Sequence, residues 1–180
     1  MINIDYSETV YRPAEDTYLL MDHTKCGQKV LEMGAGTGII SINLALQGHT
    51  VTAVDISQDA VELIKHNAGI NKVSIEVIES DLFQNIHGKY DTLIFNPPYL
   101  PVENESPQWA GGSDGFAVTG RFLASADKYL NRCGNIYIIL SDLTDIESFI
   151  RKNKNYVFTE IASESFDFES IKLYELKVRK

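Results

Sequence analysis

The sequence predicts an α/β fold, with a doubly wound sheet of seven mostly parallel strands that ends in an antiparallel hairpin. Short apolar runs alternate along the chain with longer mixed segments, which is typical of alternating strands and helices. The last two apolar runs have no helical segment between them, and strands connected in this way pair antiparallel. No internal repeat or flexible linker interrupts residues 1–180, so a single domain is expected.

The predicted strands are short runs rich in apolar and β-branched residues. They lie at residues 30–33, 50–54, 73–78, 92–95, 136–140, 156–161 and 171–178. An acidic loop at residues 163–170 is expected to join the last two strands.

Three segments are predicted to be helical. Residues 57–67 begin with Ser57, a good capping residue, and their apolar stripe contains Val61, Ile64 and Ala68. The segment Ile39–Leu46 alternates in polarity as a strand would, but a helix is expected because parallel strands need a crossover there. Residues 121–130 form the third predicted helix.

Composition and charge exclude several classes of protein. The chain has 44% hydrophobic and 23% charged residues, as globular proteins do. Its longest apolar run, residues 136–140, is far shorter than the ~18 residues that cross a bilayer, and a cytoplasmic location is expected. Sixteen basic against 25 acidic residues give a net charge of −9, which disfavours strong direct binding to nucleic acid. The cysteines and histidines lack metal-ligand spacing, so no metal is expected.

A glycine-rich turn follows the first predicted strand and precedes a helix. Gly34 and Gly36 allow the backbone to approach a ligand and to present amide N–H groups to it. Asp55 ends the next strand, 21 residues after Gly34, where a carboxylate can accept hydrogen bonds from ribose hydroxyls. A nucleoside-containing cofactor is predicted, although the turn alone would also fit a purely structural role.

Glu32 and Ile39 favour one kind of nucleoside cofactor over another. Ile39 stands where a dinucleotide-binding motif has its third glycine. The carboxylate of Glu32 is unfavourable beside a pyrophosphate, but it suits a cofactor that carries a positive charge and no phosphate. S-adenosylmethionine fits this description better than a nicotinamide dinucleotide does.

The tetrapeptide Asn96-Pro97-Pro98-Tyr99 directly follows a predicted strand. Its two prolines lack backbone N–H groups, so hydrogen-bond acceptors without donors surround Asn96. The side-chain oxygen of Asn96 and the carbonyl of Pro97 can each accept one hydrogen from a planar NH2 group. Tyr99 can pack against that plane and attract a sulfonium. The alternative is a turn that only ends the strand.

With these motifs, the sequence resembles class I S-adenosylmethionine-dependent methyltransferases of the HemK-like type. It is most similar to the short archaeal and eukaryotic branch of the release-factor glutamine N5-methyltransferases. Three further stretches carry the resemblance, which extends over almost the whole chain. They are Val-Tyr-Arg-Pro-Ala-Glu-Asp-Thr at residues 10–17, Trp-Ala-Gly-Gly-Ser-Asp-Gly at residues 109–115, and Arg121 with Phe122.

The resemblance implies a Rossmann-like fold and a set of site residues. Those implied to bind the cofactor, together with Gly36 of the glycine turn, are Thr17, Glu32, Gly34, Asp55, Asp81, Leu82 and Asn96. Asn96, Pro97 and Tyr99 are expected to be catalytic, whereas Asn96, Pro98, Tyr99 and Trp109 are expected to contact the substrate. Asp81 can accept a hydrogen bond from the adenine amino group. Trp109 begins a glycine-containing stretch that is expected to cover the substrate pocket.

The activity implied by the resemblance is methylation of a glutamine side-chain amide in a class I release factor, with S-adenosylhomocysteine as the product. The resemblance also implies a small zinc-binding activator protein, paired with the third strand at a sheet edge that only Glu76 would protect. Methylation of adenine or cytosine in nucleic acid and a non-catalytic scaffold role remain as alternatives.

Two features depart from the family pattern. The N-terminal helical domain of bacterial HemK proteins is missing from residues 1–180, so substrate capture is expected to involve this domain or a partner. Gly120 precedes Arg121 where family members often carry an acid, which leaves the partner of this arginine open.

Overall fold

The computed structural model describes residues 2–99 and 115–179, which form a seven-stranded sheet with helices on both faces. The strands are β1 (Lys29–Met33), β2 (Thr50–Asp55), β3 (Glu76–Glu79), β4 (Tyr90–Phe95), β5 (Leu130–Ser141), β6 (Tyr156–Ser165) and β7 (Ser170–Val178). They are arranged in the order β3-β2-β1-β4-β5-β7-β6. The first five strands pair parallel, and β7 is antiparallel to both β5 and β6. The predicted fold class is therefore confirmed.

Five α-helices accompany these strands in the described part of the chain, the first of them before β1. They are α1 (Glu15–His23), α2 (Ile39–Leu46), α3 (Gln58–Ile70), α4 (Ala117–Ala126) and α5 (Ile146–Lys152). The helix predicted at α2 is confirmed, as is the one at α3, where Ser57 accepts a hydrogen bond from the backbone N–H of Ala60. No helix within residues 2–99 or 115–179 has the length and apolar character needed to cross a membrane.

Alternate residues of β1 contribute to opposite layers of the core. Leu31 and Met33 pack with Phe95 of β4 and with apolar side chains of α4 and α5. Val30 belongs to a second cluster, formed with side chains of α1 and α2. This alternation is the consequence of the two-residue period of a strand. In parallel sheets of this kind, ligands bind at the carboxyl ends of the strands.

The end of α3 corrects the prediction for the third strand. β3 begins at Glu76 rather than at residue 73, because the backbone of Lys72 is left-handed, with φ of 56°. This conformation lets the Lys72 and Val73 N–H groups donate to the carbonyls of Gly69 and Ala68, the arrangement that closes many helices. The edge strand also carries Glu79 at its end, so protection by Glu76 alone was a wrong prediction.

The other differences concern the extent of elements. The helix predicted at residues 121–130 is α4, which runs four residues earlier and is followed by the short turn Asp127–Tyr129, because Leu130 already pairs with Tyr90 in the sheet. α1 and α5 were not predicted. β6 continues to Ser165 along β7, past a register shift between Glu160 and Ala162. The acidic loop predicted at residues 163–170 is therefore reduced to a four-residue connection, residues 166–169.

We expect Lys72→Gly to stabilise the protein by about 0.5–1 kcal/mol, since glycine adopts a left-handed backbone without the steric cost borne by lysine. The matched control is Lys65→Gly at an exposed position within α3, which should cost about 1 kcal/mol. Urea unfolding of the two variants measures both changes. Equal losses of stability would contradict the role assigned to Lys72.

Candidate active site

A cleft of about 670 Å³ opens at the carboxyl ends of β1, β2, β3 and β4. The structure brings together in its lining every site residue predicted within the described ranges. These are Thr17, Glu32, Gly34, Gly36, Asp55, Asp81, Leu82, Asn96, Pro97, Pro98 and Tyr99. Trp109, expected to contact the substrate, lies outside the described residues.

The glycine turn is held by the carboxylate of Asp55. The Gly36 N–H donates to Oδ2 of Asp55 at 3.0 Å, and the Ser57 N–H donates to Oδ1 at 2.9 Å. Gly34 has φ of +64°, and a Cβ there would lie 3.3 Å from the Phe95 ring. Burial raises the pKa of the Asp55 carboxyl, although its hydrogen bonds to backbone N–H groups oppose this effect. The carboxylate thus connects the turn to the start of α3.

Glu32 is a buried acid, with only 4% of its surface exposed. Its Oε2 accepts hydrogen bonds from the N–H of Ser41 at 2.8 Å and from the Ser41 hydroxyl. Burial raises the pKa of Glu32 to about 8, against the opposing effect of the Ser41 bonds. A cation bound beside this carboxylate would favour its ionised form. Glu32 is therefore suited to a positively charged ligand.

Asn96 supplies a hydrogen-bond acceptor that no described residue of the protein uses. Its side-chain Oδ1 is buried and has no hydrogen-bond partner among the described residues. Pro97 and Pro98 follow it and lack N–H groups that could donate to it. Leaving such an atom unpaired costs roughly 1–3 kcal/mol, so this position fits a ligand that donates a hydrogen bond.

Asp16 joins three segments at the cleft, although it was not among the predicted site residues. Its carboxylate accepts hydrogen bonds from the hydroxyl of Tyr11 at 2.9 Å, from the N–H of Thr17 at 2.6 Å and, more weakly, from the hydroxyl of Tyr99 at 3.5 Å. Burial, together with Asp16, raises the pKa of both tyrosines, which keeps them as hydrogen-bond donors. The signal was present in the stretch at residues 10–17, from which only Thr17 was chosen.

Arg121 of α4 pairs with Asp81, at 2.7 Å between Nη2 and Oδ2. Asp81 is therefore the partner of Arg121, which the sequence had left open. The pair also restricts the orientation of the Asp81 carboxylate, which is predicted to bind adenine.

Two apolar residues, Ile56 and Leu82, line the cleft directly after Asp55 and Asp81. Ile56 was missed, although its place after the acid that ends β2 could have indicated it.

The N-terminal segment, residues 2–14, covers part of the cleft and is anchored on α3. The buried side chain of Asn67 accepts a hydrogen bond from the N–H of Asp5 and donates to the carbonyl oxygens of Asp5 and Thr37. Further along the segment, Tyr11 and Pro13 line the cleft. Asn67 therefore connects the N-terminal segment to Thr37 of the glycine turn. No local sequence pattern predicts such a contact.

A family model described as the methyltransferase small domain matches residues 14–167. The chain belongs to this methyltransferase family. The HemK-like resemblance stated from the sequence is thereby confirmed at the level of the family, and so is the prediction of an enzyme.

Named relatives of this methyltransferase come from all three domains of life. A Methanocaldococcus jannaschii protein, provisionally named a protein N5-glutamine methyltransferase, is 40% identical and covers 85% of this chain and 83% of its own length. The Streptococcus pneumoniae release factor glutamine methyltransferase is 32% identical over 76% of this chain, which spans about half (55%) of that relative. Mouse methyltransferase HEMK2 is 32% identical, over 72% of this chain and 71% of its own.

Solved structures share the fold. The Mtq2–Trm112 complex of E. cuniculi, described as responsible for methylation of the termination factor eRF1, matches with a TM-score of 0.78 and 24% identity, over 95% of this chain and 99% of that one. A methyltransferase of Pyrococcus furiosus matches with a TM-score of 0.79 and 19% identity, over 99% and 90%. At these identities the likeness establishes the class I methyltransferase fold.

The residues of the cleft fit S-adenosylmethionine, the methyl donor that the family implies. The buried acid Glu32 suits a cationic ligand, and the glycine turn leaves room for a nucleoside. The Oδ1 of Asn96, which has no hydrogen-bond partner among the described residues, can accept a hydrogen bond from a bound ligand. Within residues 2–99 and 115–179, no group of His, Cys, Asp and Glu side chains is arranged to hold a metal ion.

We expect Glu32 to make stability fall as the pH rises from about 4.5 to about 8. Over that range the residue is protonated in the folded protein and ionised in the unfolded chain, so rising pH favours unfolding. Thermal unfolding in a pH series should show a shallower decline for Glu32→Gln than for the unchanged protein. The control Glu62→Gln, at an exposed site on α3, should keep the original slope. Identical slopes for all three proteins would refute the buried, protonated state of Glu32.

Proposed function

We propose that this methyltransferase transfers a methyl group from S-adenosylmethionine to the side-chain amide nitrogen of a glutamine in a class I peptide-chain release factor. The observation that carries the proposal is the buried Oδ1 of Asn96, which no described residue pairs with and which is followed by two residues without N–H groups. A primary amide has two hydrogens on one planar nitrogen, which match two neighbouring acceptors. The archaeal relative is named a protein N5-glutamine methyltransferase and the bacterial one a release factor glutamine methyltransferase, which supports the same substrate class.

Cofactor binding is assigned to the glycine turn and the acids around it. Glu32 would hold the cationic amino acid part of the cofactor, and Asp55 the ribose hydroxyls. Asp81, oriented by Arg121, would accept from the adenine amino group. The apolar side chains of Ile56 and Leu82 offer contact area for the adenine ring.

The chemistry requires positioning more than acid or base strength. S-adenosylmethionine supplies a methyl group on a positively charged sulfur and departs as S-adenosylhomocysteine, a neutral thioether, so no general acid is needed. Asn96 Oδ1 and the Pro97 carbonyl accept the two amide hydrogens, which directs the nitrogen lone pair to the methyl carbon and increases its electron density. As the N–C bond forms and the S–C bond breaks, the nitrogen becomes positively charged and releases one of these hydrogens as a proton to solvent water, and the product is a neutral N-methyl amide.

Tyr99 completes this arrangement from the side of the substrate. Its hydroxyl is directed toward Asp16 at 3.5 Å, which restricts the ring next to Pro97 and Pro98. A restricted aromatic face can pack against the planar amide and hold it in the reactive orientation.

The amino groups of adenine and cytosine are also planar NH2 groups and define the competing substrate class. The net charge of −9 disfavours it, because backbone phosphates need a positive surface. Labelled S-adenosylmethionine offered together with a release factor, DNA and RNA separates the two. We expect label in the release factor, at a glutamine identified by mass spectrometry. Label in nucleic acid alone would overturn the proposal.

We also propose that a small zinc-binding activator protein adds a strand to β3. This strand is at the end of the sheet, with β2 as its one sheet neighbour among the described strands. Val77 and Ile78 are only partly buried there, and an edge with unpaired backbone groups is a template for strand addition. Trm112 in the complex with Mtq2 is a named example of a partner chain on a protein of this fold.

Asn96→Ala should lower the methyl-transfer rate by about 10²–10³, since one preorganised hydrogen bond to the reacting group is lost. Cofactor affinity, measured by calorimetry, should weaken much less. The control is Asn131→Ala, at an exposed position in β5 near the opposite ends of the strands, which should leave the rate unchanged. Near-normal turnover of Asn96→Ala would refute the assigned role.

Val77→Pro should prevent co-purification with the activator, because proline removes a backbone donor from the edge strand. Glu160→Pro, at an exposed position beside the register shift of the opposite edge strand β6, is the control and should retain a 1:1 complex. Size-exclusion chromatography after co-expression measures both, and far-UV circular dichroism with a cooperative thermal unfolding transition checks that the Val77→Pro protein has folded. A folded Val77→Pro variant that still forms the complex would exclude β3 as the binding edge.

A further inference from the structure

Three large apolar side chains are exposed on two connected loops beside the cleft. Phe168 is 92% exposed and Phe166 is 42% exposed, both in the turn between β6 and β7. Leu143, in the loop after β5, is 45% exposed. We call these three residues the apolar rim. Single exposed apolar residues are common, but several together at the mouth of a pocket indicate a binding surface.

Hydrogen bonds within and between the two loops hold the backbone that carries the apolar rim. The Phe166 N–H donates to the carbonyl of Glu169 at 2.7 Å, which closes the turn. The next residue, Ser170, donates its N–H to the carboxylate of Asp142 at 2.7 Å and accepts the Asp142 N–H on its own carbonyl at 3.0 Å. These bonds join the β6–β7 turn to the loop after β5. Phe166 and Phe168 therefore lie on a turn that is hydrogen-bonded to the loop that carries Leu143.

Two contacts place the apolar rim at the entrance of the cleft. Glu169, the neighbour of Phe168, lines the cleft, and its carboxylate contributes to the raised pKa of Tyr99, after burial and Asp16. At Gly115, a Cβ would lie 2.5 Å from Cγ2 of Thr144 and 2.6 Å from the Tyr99 carbonyl oxygen. The loop that carries Leu143 thus approaches the backbone of the Asn96 to Tyr99 motif.

We propose that the apolar rim is the docking surface for the release factor whose glutamine enters the cleft. This inference rests on the proposed function, since a glutamine inserted from a folded protein requires that the protein lie over the mouth. Exposed phenylalanines are efficient anchors, because each can bury a large apolar area at little cost in side-chain entropy. Asp142, Asp167 and Glu169 flank the three apolar residues, so the release-factor surface is expected to combine apolar and basic side chains.

The test compares a whole release factor with a short synthetic peptide that contains the same glutamine, at saturating S-adenosylmethionine. For Phe168→Ser and for Phe166→Ser combined with Phe168→Ser, we expect KM for the release factor to rise at least about tenfold. Values of kcat, and kcat/KM for the peptide, should stay within about twofold of the unchanged protein. Val157→Ser, an exposed apolar position on β6, is the matched control and should behave as the unchanged protein.

The other outcomes are informative in separate ways. An unchanged KM for the release factor would overturn the docking role. Equal losses with protein and peptide would also overturn it, since the apolar rim would then shape the pocket itself. Loss of activator binding by the phenylalanine variants would assign the rim to that partner instead. If the unchanged protein methylates neither release factor nor peptide, the proposed function fails, independently of the apolar rim.

Discussion

The parallel pairing of β1 with β2 and β4 brings the chemical groups of the cleft to one level. Met33, the last residue of β1, pairs with Val54 of β2 and with Phe95 of β4. Asp55 and Asn96 are the residues that follow these two partners. The chain therefore enters the glycine turn at Gly34 between Asp55 and the motif that begins at Asn96. A one-residue change of register would turn these side chains to opposite faces, so the buried apolar residues of the sheet also maintain the site.

The electrostatic character of the cleft follows from its buried acids. Glu32 and Asp16 are each 4% exposed, and Asp55 faces the same space. Among the described residues, Arg121 is the one cationic side chain in the lining, and Asp81 pairs with it. A cofactor phosphate would meet carboxylates without compensating charge, whereas a sulfonium and an ammonium are stabilised there. This charge distribution supports S-adenosylmethionine more strongly than the glycine spacing does.

Features encoded by neighbouring residues could be predicted from the sequence, and those made by distant contacts could not. Apolar runs predicted every strand of the described residues. The two prolines after Asn96 predicted a group of hydrogen-bond acceptors without neighbouring donors. The start of β3 was missed because Lys72 adopts a left-handed backbone that glycine or asparagine usually provides. α1 and α5 contain only nine and seven residues, too few for a clear apolar period. The contact between Asp16 and Tyr99 joins residues that are 83 positions apart in the sequence, and no local pattern predicts it.

The order of strands separates the functions proposed for the two ends of the sheet. β3, the proposed activator edge, lies at one end, while the β6–β7 turn that carries Phe166 and Phe168 extends from the other. The two proposed surfaces therefore do not overlap, and both partners would be able to bind at the same time. Asp81 follows β3 by only two residues, so a strand added to β3 would stabilise the part of the cleft proposed to bind adenine. In this proposal the activator would act on the edge of the sheet, whereas selection of the protein substrate would depend on the apolar rim.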